Sequence, residues 1–365
     1  MNVSINEEAE QEIIDQSIHI DLKTRSITAT LPFIKDPQMN LAPNKGIAVK
    51  IYNQQLKRLN QKDKEDIISS ESKMHKLGFV DFVENLSTEQ QKLLKESSIQ
   101  NYIPWRAVWK LSSISTPCRV VFDASHPTRS GTSLNDILAK GTNNLNKLQE
   151  ILLRWSIRRV GLHTDVSKMY NTIKLDPIHW PFQRYIWQDD LEPTKIPRQK
   201  VIKTLIYGVR SSGNQAVQGL RQIADIHKMK YPLVSKIIKD DVYVDDCITG
   251  DDNQEEAFRR ADELEVVTRS GSFNLKGITF SGKNPPSHLT EDGVSVGVGG
   301  FRWYSKSDEI SLCVPELNFS SKQRGKKSMH AANIIPTIHP RSYIEGRQSK
   351  FQMDQWPSLD FTQKN

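Results

Sequence analysis

Apolar and polar positions alternate over residues 17–34 around Lys23-Thr24, a spacing that predicts a short β-hairpin. From about residue 46 the period lengthens. Ala48, Ile51, Tyr52, Leu56 and Leu59 fall on one helical face, and Ser87 with Gln90 makes a capping box ahead of Leu93 and Leu94. Gly78 is placed to stop the middle helix of this stretch. Residues 101–315 differ in kind, because apolar β-branched runs interleave with helical stripes. Residues 119–122, 160–164, 201–207, 242–244 and 247–249 read as strands. Residues 146–158, 212–230 and 253–269 read as helices. This order predicts an α+β fold, with a mixed or antiparallel sheet and helices on one face. Beyond residue 316 no period survives and prolines are scattered, so 316–365 is expected to be an irregular basic tail. Three stretches result: 1–100, hairpin and helices; 101–315, the sheet unit; and 316–365, the tail.

Composition narrows the classes. With 365 residues, 37% apolar and 25% charged, the chain has material for a substantial core. No eighteen apolar residues run together, and the acidic start lacks the apolar core of a signal peptide. No membrane partner and an intracellular, cytoplasmic location are therefore expected. Cys118, Cys247 and Cys313 are odd in number and lack CxxC spacing, against a disulfide scaffold or a zinc knuckle. A formal charge of +7 leans toward polyanions, nucleic acid first, and alone decides nothing.

Two segments carry the chemistry. Residues 240–249 (DDVYVDDCIT) place two aspartates between two apolar strands, which predicts a tight hairpin with Asp245 and Asp246 at its tip. Adjacent strand residues face opposite ways, so two neighbouring carboxylates reach one site only at such a turn. Crowded carboxylates are costly unless a cation lies between them, and hard oxygen donors suit magnesium or manganese. A solvated polar turn is the plainer reading; a calcium loop lacks its D-x-[DN]-x-[DN]-G pattern. The third carboxylate is Asp165, expected at the end of a strand over 160–164, with Ser167 able to cap the following turn. By itself Asp165 reads better as a helix cap. Together the three make the constellation that two-metal phosphoryl transfer uses.

The motifs, in their order, resemble the reverse transcriptase of LTR retrotransposons, most closely the BEL/Pao group, over roughly residues 18–315. The runs Ile103-Pro104-Trp105-Arg106-Ala107-Val108-Trp109-Lys110 and Pro117-Cys118-Arg119-Val120-Val121-Phe122 are similar to the fingers motif. The D-V-x-x-M-Y run from Asp165 and the Y-V-D-D run from Tyr243 are similar to two palm motifs. Tyr207-Gly208, Gly271 to Lys276, and Val298 to Trp303 are similar to three others. The resemblance implies a right-hand polymerase palm and fingers, with the thumb missing or incomplete. It implies an RNA-directed DNA polymerase, a nucleotidyltransferase that extends a primer 3′-OH, with an RNA or DNA template, primer and dNTPs as partners. Other parts of a retroelement polyprotein join that list, and retroelement particles the location. Asp165, Asp245 and Asp246 would be catalytic and, with the Val166 carbonyl, would hold two Mg²⁺ ions, or Mn²⁺. Lys110, Arg119, Val166, Tyr170, Gly208 and Lys276 would bind nucleotide. Tyr243, Gly300 and Trp303 would meet template and primer. The alternative is a degenerate, inactive retroelement fragment that at most binds nucleic acid. An unrelated metal nuclease would share the carboxylates but leaves Arg119, Tyr170 and Gly208 unaccounted for.

Overall fold

The computed structural model describes residues 5–109, 118–192, 194–282, 296–298 and 301–312. Lys110, Gly300 and the 316–365 tail lie outside the described residues. Helix α1 (Ile5–Gln16), which no sequence pattern announced, leads into the expected hairpin, β1 (Ile18–Asp21) and β2 (Ser26–Ala29). The Asp21 carboxylate holds its turn by accepting from the Lys23 and Thr24 amides. A short α2 (Pro37–Asn40) precedes α3 (Lys45–Leu56), whose Ala48, Tyr52 and Leu56 are buried. Helix α4 (Gln61–Lys76) starts in a capping box of Asn60 and Asp63. It stops at Gly78, where φ is +73° and the amide donates to the His75 carbonyl. After β3 (Val80–Phe82), the Ser87/Gln90 capping box opens α5 (Thr88–Glu96), as the sequence predicts.

Next come the hairpin β4 (Trp105–Trp109) and β5 (Cys118–Phe122), then α6 (Leu148–Ser156), β6 (Val160–Ser167), α7 (Met169–Thr172) and β7 (Lys174–Leu175). Strands β8 (Arg184–Trp187) and β9 (Arg198–Ile202) follow, then α8 (Ser212–Ile226) and α9 (Pro232–Asp240). The chain continues through β10 (Val242–Tyr243), β11 (Asp246–Asp251), α10 (Gln254–Arg269) and β12 (Asn274–Phe280). The last described elements are β13 (Val296–Val298), β14 (Phe301–Tyr304) and β15 (Glu309–Leu312), one small antiparallel sheet. The fold is thus a mixture of helices and several small sheets. Among the described residues, no helix is long and apolar enough to cross a membrane.

The four-stranded sheet, in order β10-β11-β6-β12, is antiparallel throughout. On one face Leu162, Val166 and Cys247 are buried in the main core with Ala257, Ala261 and Leu264 of α10. Helices do not keep to that face alone. Ile151 and Trp155 of α6 pack with Ile248, which strand alternation puts on the opposite face, so the apolar stripe of α6 is buried there.

A strand over 201–207 is also corrected. Strand β9 ends at Ile202 because the next residues change partner: the Lys203 carbonyl accepts from Leu175 and the Leu205 amide donates to Ile173. The first hundred residues share this core. Strand β2 pairs in parallel with β7, and β3 pairs antiparallel with β9.

Beside β9 lies a buried ion pair. Lys200 and Glu71, 1% and 2% exposed, meet at 2.6 Å, and the Tyr185 hydroxyl donates to the same carboxylate oxygen at 2.6 Å.

Candidate functional site

Asp165 does not end its strand. Asn274 and Leu275 of β12 pair with Ser167 and Val166, which extends β6 by two residues. Ser167 therefore stays in the ladder, and Lys168, at φ +51°, makes the turn into α7 without any side-chain cap. The expected capping role of Ser167 is not realised.

The aspartate hairpin is as tight as the sequence implies, with one change of position. Tyr243 pairs with Asp246, so Val244 and Asp245 form the turn and Asp246 is the first residue of β11. Val244 sits at φ +57°, a region that a β-branched side chain disfavours by about 1–3 kcal/mol. The surroundings hold it there. The Val166 amide donates to the Asp245 carbonyl at 2.7 Å, and Asp241 at the base accepts from Arg154 and Thr249.

Register then sets two of the carboxylates side by side. Asp165 pairs with Asp246 on one side and with Lys276 on the other. Directly opposed residues share a face of a sheet, so both carboxylates and the Lys276 side chain project from the same surface.

The electrostatics record the crowding. Burial, then the charges of Asp245 and Asp246, push the Asp165 carboxyl up to about 6, while His163 and Lys276 act weakly the other way. Asp245 is raised by burial and by Asp246, against a lowering influence from Arg119. Exposed on β5, Arg119 thus has its charge within reach of the carboxylates. Crowding of this kind favours an added positive charge nearby, and carboxylate oxygens are the hard donors that magnesium or manganese takes. Among the described residues, however, no three His, Cys, Asp or Glu side chains are gathered into a group that could hold a metal ion.

Tyr170, on α7, is half-buried and lies against Tyr207 with ring centroids 4.1 Å apart. Gly213 lets α8 approach this pair: a Cβ there would meet the Tyr170 hydroxyl at 3.2 Å. Gly208 has a stricter reason to be glycine. Its φ is +102°, and a Cβ would stand 2.0 Å from the Phe122 carbonyl of β5. Asn135 fixes the same loop, donating to the Gly208 carbonyl and accepting from the Arg210 amide. Gly208→Ala is expected to destabilise the protein by more than about 1 kcal/mol and to loosen β5, measured as a lower urea midpoint.

Tyr243 is half-buried against the cluster of Ile151, Trp155, Ile248 and Trp303. Trp303 itself departs from expectation. It is 0% exposed, packs on Trp155 at 4.9 Å between centroids, and donates from Nε1 to Asp308. An indole with no free surface cannot grip a primer, so Trp303 anchors its own hairpin instead.

Sequence reasoning missed two neighbours, Tyr207 and His163. The His163 Nε2 lies 3.0 Å from Asp246 Oδ1. Its signal was available: a residue two before Asp165 on one strand shares its face.

No family model matches this chain, and no curated protein matches it. Among solved structures it is similar to the foamy viral protease-reverse transcriptase dRH in complex with ds DNA, at TM-score 0.45 and 14% identity. That similarity covers 68% of this chain and 35% of that chain, so the match spans about a third of the other protein's length.

Proposed function

We propose that the chain is an RNA-directed DNA polymerase of the retroelement kind, adding deoxynucleotides to a primer 3′-OH on an RNA or DNA template. The observation that carries this reading is the register of the central sheet, in which Asp246 opposes Asp165 while the Asp245 carbonyl is tied to Val166. In this reading the sheet β10-β11-β6-β12 is the palm and the β4–β5 hairpin belongs to the fingers. Asp165, Asp245 and Asp246, with the Val166 carbonyl, would hold two Mg²⁺ or Mn²⁺ ions, which when bound lower the pKa of an attacking hydroxyl and stabilise the leaving oxygen. Arg119 and Lys276 supply positive charge on two flanks of the carboxylates, where a triphosphate would need it. The Tyr170–Tyr207 pair gives a rigid aromatic floor for the nucleotide sugar. Duplex binding would rest on phosphate contacts and weaken with salt.

Tyr170→Val is then expected to raise ribonucleotide incorporation at least about tenfold relative to deoxynucleotide, the effect of losing about 1.4 kcal/mol of steric exclusion. Competition between rNTPs and dNTPs on one primed template measures it.

A second reading, an inactive fragment that binds nucleic acid, draws on the lack of a gathered ligand group among the described carboxylates. Primer extension on a primed RNA template, with Mg²⁺, with Mn²⁺ and with chelator, separates the two. Metal-dependent extension supports the polymerase. Salt-sensitive binding of primed template without any extension supports the fragment.

A further inference from the structure

We infer that a groove between the first hundred residues and the sheet unit binds a free nucleoside diphosphate or triphosphate, its phosphates on Lys168 and Lys174 and its nucleoside against Leu77 and Pro177. None of the three aspartates lines this groove, so the inference stands apart from the polymerase reading.

The groove encloses about 580 Å³, within the range of sites that take small organic ligands. It forms where β2 and the turn after α4 meet β7, the β6–α7 turn and the start of β12. Three lysines line it, and no Asp or Glu does. Lys203 is held by Asp81 at 3.2 Å, whereas Lys168 and Lys174 have no ion-pair partner among the described residues. A merely solvated surface mixes the two signs, as α4 does with Lys62, Asp63, Lys64 and Glu65. A concave wall of one sign instead concentrates its field on an anion.

Register supplies the rest of the phosphate chemistry. Lys174 pairs with Thr28 of β2 on one side and bridges to Thr204 on the other. Paired residues share a face, so one ammonium group stands in a row with two threonines. Lys168 sits in its turn at φ +51°, and Ser272, which also lines the groove, at φ +63°. Glycine or asparagine adopts such a conformation at lower cost, and residues held in it cluster at ligand clamps.

The other part of the lining is apolar. Leu77 ends α4 with 49% of its surface exposed, and Phe79 and Pro177 line the same groove. A bare phosphate has no use for that surface, whereas a nucleoside covers it and brings its phosphates to the lysines. A nucleic acid strand would draw on a longer basic track than two unpaired lysines supply.

Calorimetry on the full chain, in chelator and at low salt, tests this with ADP as the probe. ADP is expected to bind the parent, and Lys168→Asn and Lys174→Gln are each expected to weaken it about tenfold. Asparagine suits the left-handed turn and Lys174 is exposed, so neither change should move the urea midpoint. Leu77→Ser is expected to weaken ADP about fivefold and to leave pyrophosphate binding unchanged.

Equal ADP affinity in the parent and in the Lys168→Asn/Lys174→Gln double variant overturns the proposal, as does a parent that binds no ADP at millimolar concentration. Pyrophosphate that binds as tightly as ADP overturns the nucleotide assignment. A 5′-phosphorylated oligonucleotide that displaces ADP at far lower concentration makes a strand end the occupant, and the free nucleotide falls. Affinity lost in Asp165→Asn would put the ligand at the carboxylates and overturn the groove; primer extension judges the polymerase reading separately. Should Lys168→Asn fail to fold, Lys174→Gln and the competition on the parent still decide.

Discussion

Asparagine in place of Asp165 is expected to lower primer extension by at least about a thousandfold while making the metal-free protein more stable. The two effects share one cause. Burial and the charges of Asp245 and Asp246 hold the Asp165 carboxyl at about 6 in the folded chain, above the 3.8 of an unperturbed aspartate. Folding therefore favours the protonated form. The stabilisation from that proton is complete below the unfolded value near 3.8 and is lost as pH rises through about 6. At neutral pH the ionised group costs the fold at most about 3 kcal/mol, and solvent screening of a partly exposed carboxylate reduces that. An amide of the same shape removes the charge. Thermal melts of Asp165→Asn in chelator should thus show a midpoint several degrees higher at pH 7 and a shrinking advantage toward pH 4. A midpoint that falls at pH 7 would show that the carboxylate is not strained by its neighbours.

Lys200→Met should cost about 3–5 kcal/mol, the usual result of leaving one partner of a buried ion pair alone. The ammonium and carboxylate are 1% and 2% exposed and meet at 2.6 Å, with no water surface to fall back on. Phe82 and Trp187 flank the ammonium, at 4.2 and 5.6 Å from their ring centres, and add cation–π attraction that methionine lacks. The Glu71 carboxylate would keep only the Tyr185 hydroxyl. Removing both charges with Glu71→Leu and Lys200→Met together should recover much of the loss, but not all, because Tyr185 is then buried without an acceptor. Urea unfolding of both single variants and the double variant measures the coupling.

The legible parts of this chain were those where one local rule sufficed. The capping box at Ser87 and Gln90, the stop at Gly78 and the aspartate hairpin are each set by neighbours a few residues away, and each is found in place. The illegible parts depend on distant partners. Lys200 reads as a surface residue until Glu71 is seen beside it, so the strand read over 201–207 missed the start of β9 at Arg198. All four residues of β8 are buried, so that strand shows no alternation to recognise. Asp165 was legible as a carboxylate but misplaced as a strand end, because the residues that lengthen β6 belong to β12, over a hundred positions later. Trp303 kept its place in a hairpin and lost its expected surface, since Trp155 of α6 covers it.

The pairings of β2 with β7 and of β3 with β9 also set a timetable for synthesis. The second edge of β2, already paired with β1 on the first, waits from Thr28 to Lys174, and Val80 of β3 waits for Ile202. At translation rates of about 5–20 residues per second, that interval is on the order of ten seconds, during which the early strands expose unpaired edges. Ribosome-bound chains halted before residue 174 should engage chaperones and be cut readily by proteases, and protection should arrive in one late step as β9 emerges. Such long-range closure also slows refolding, so the isolated protein is expected to recover from denaturant over seconds rather than milliseconds.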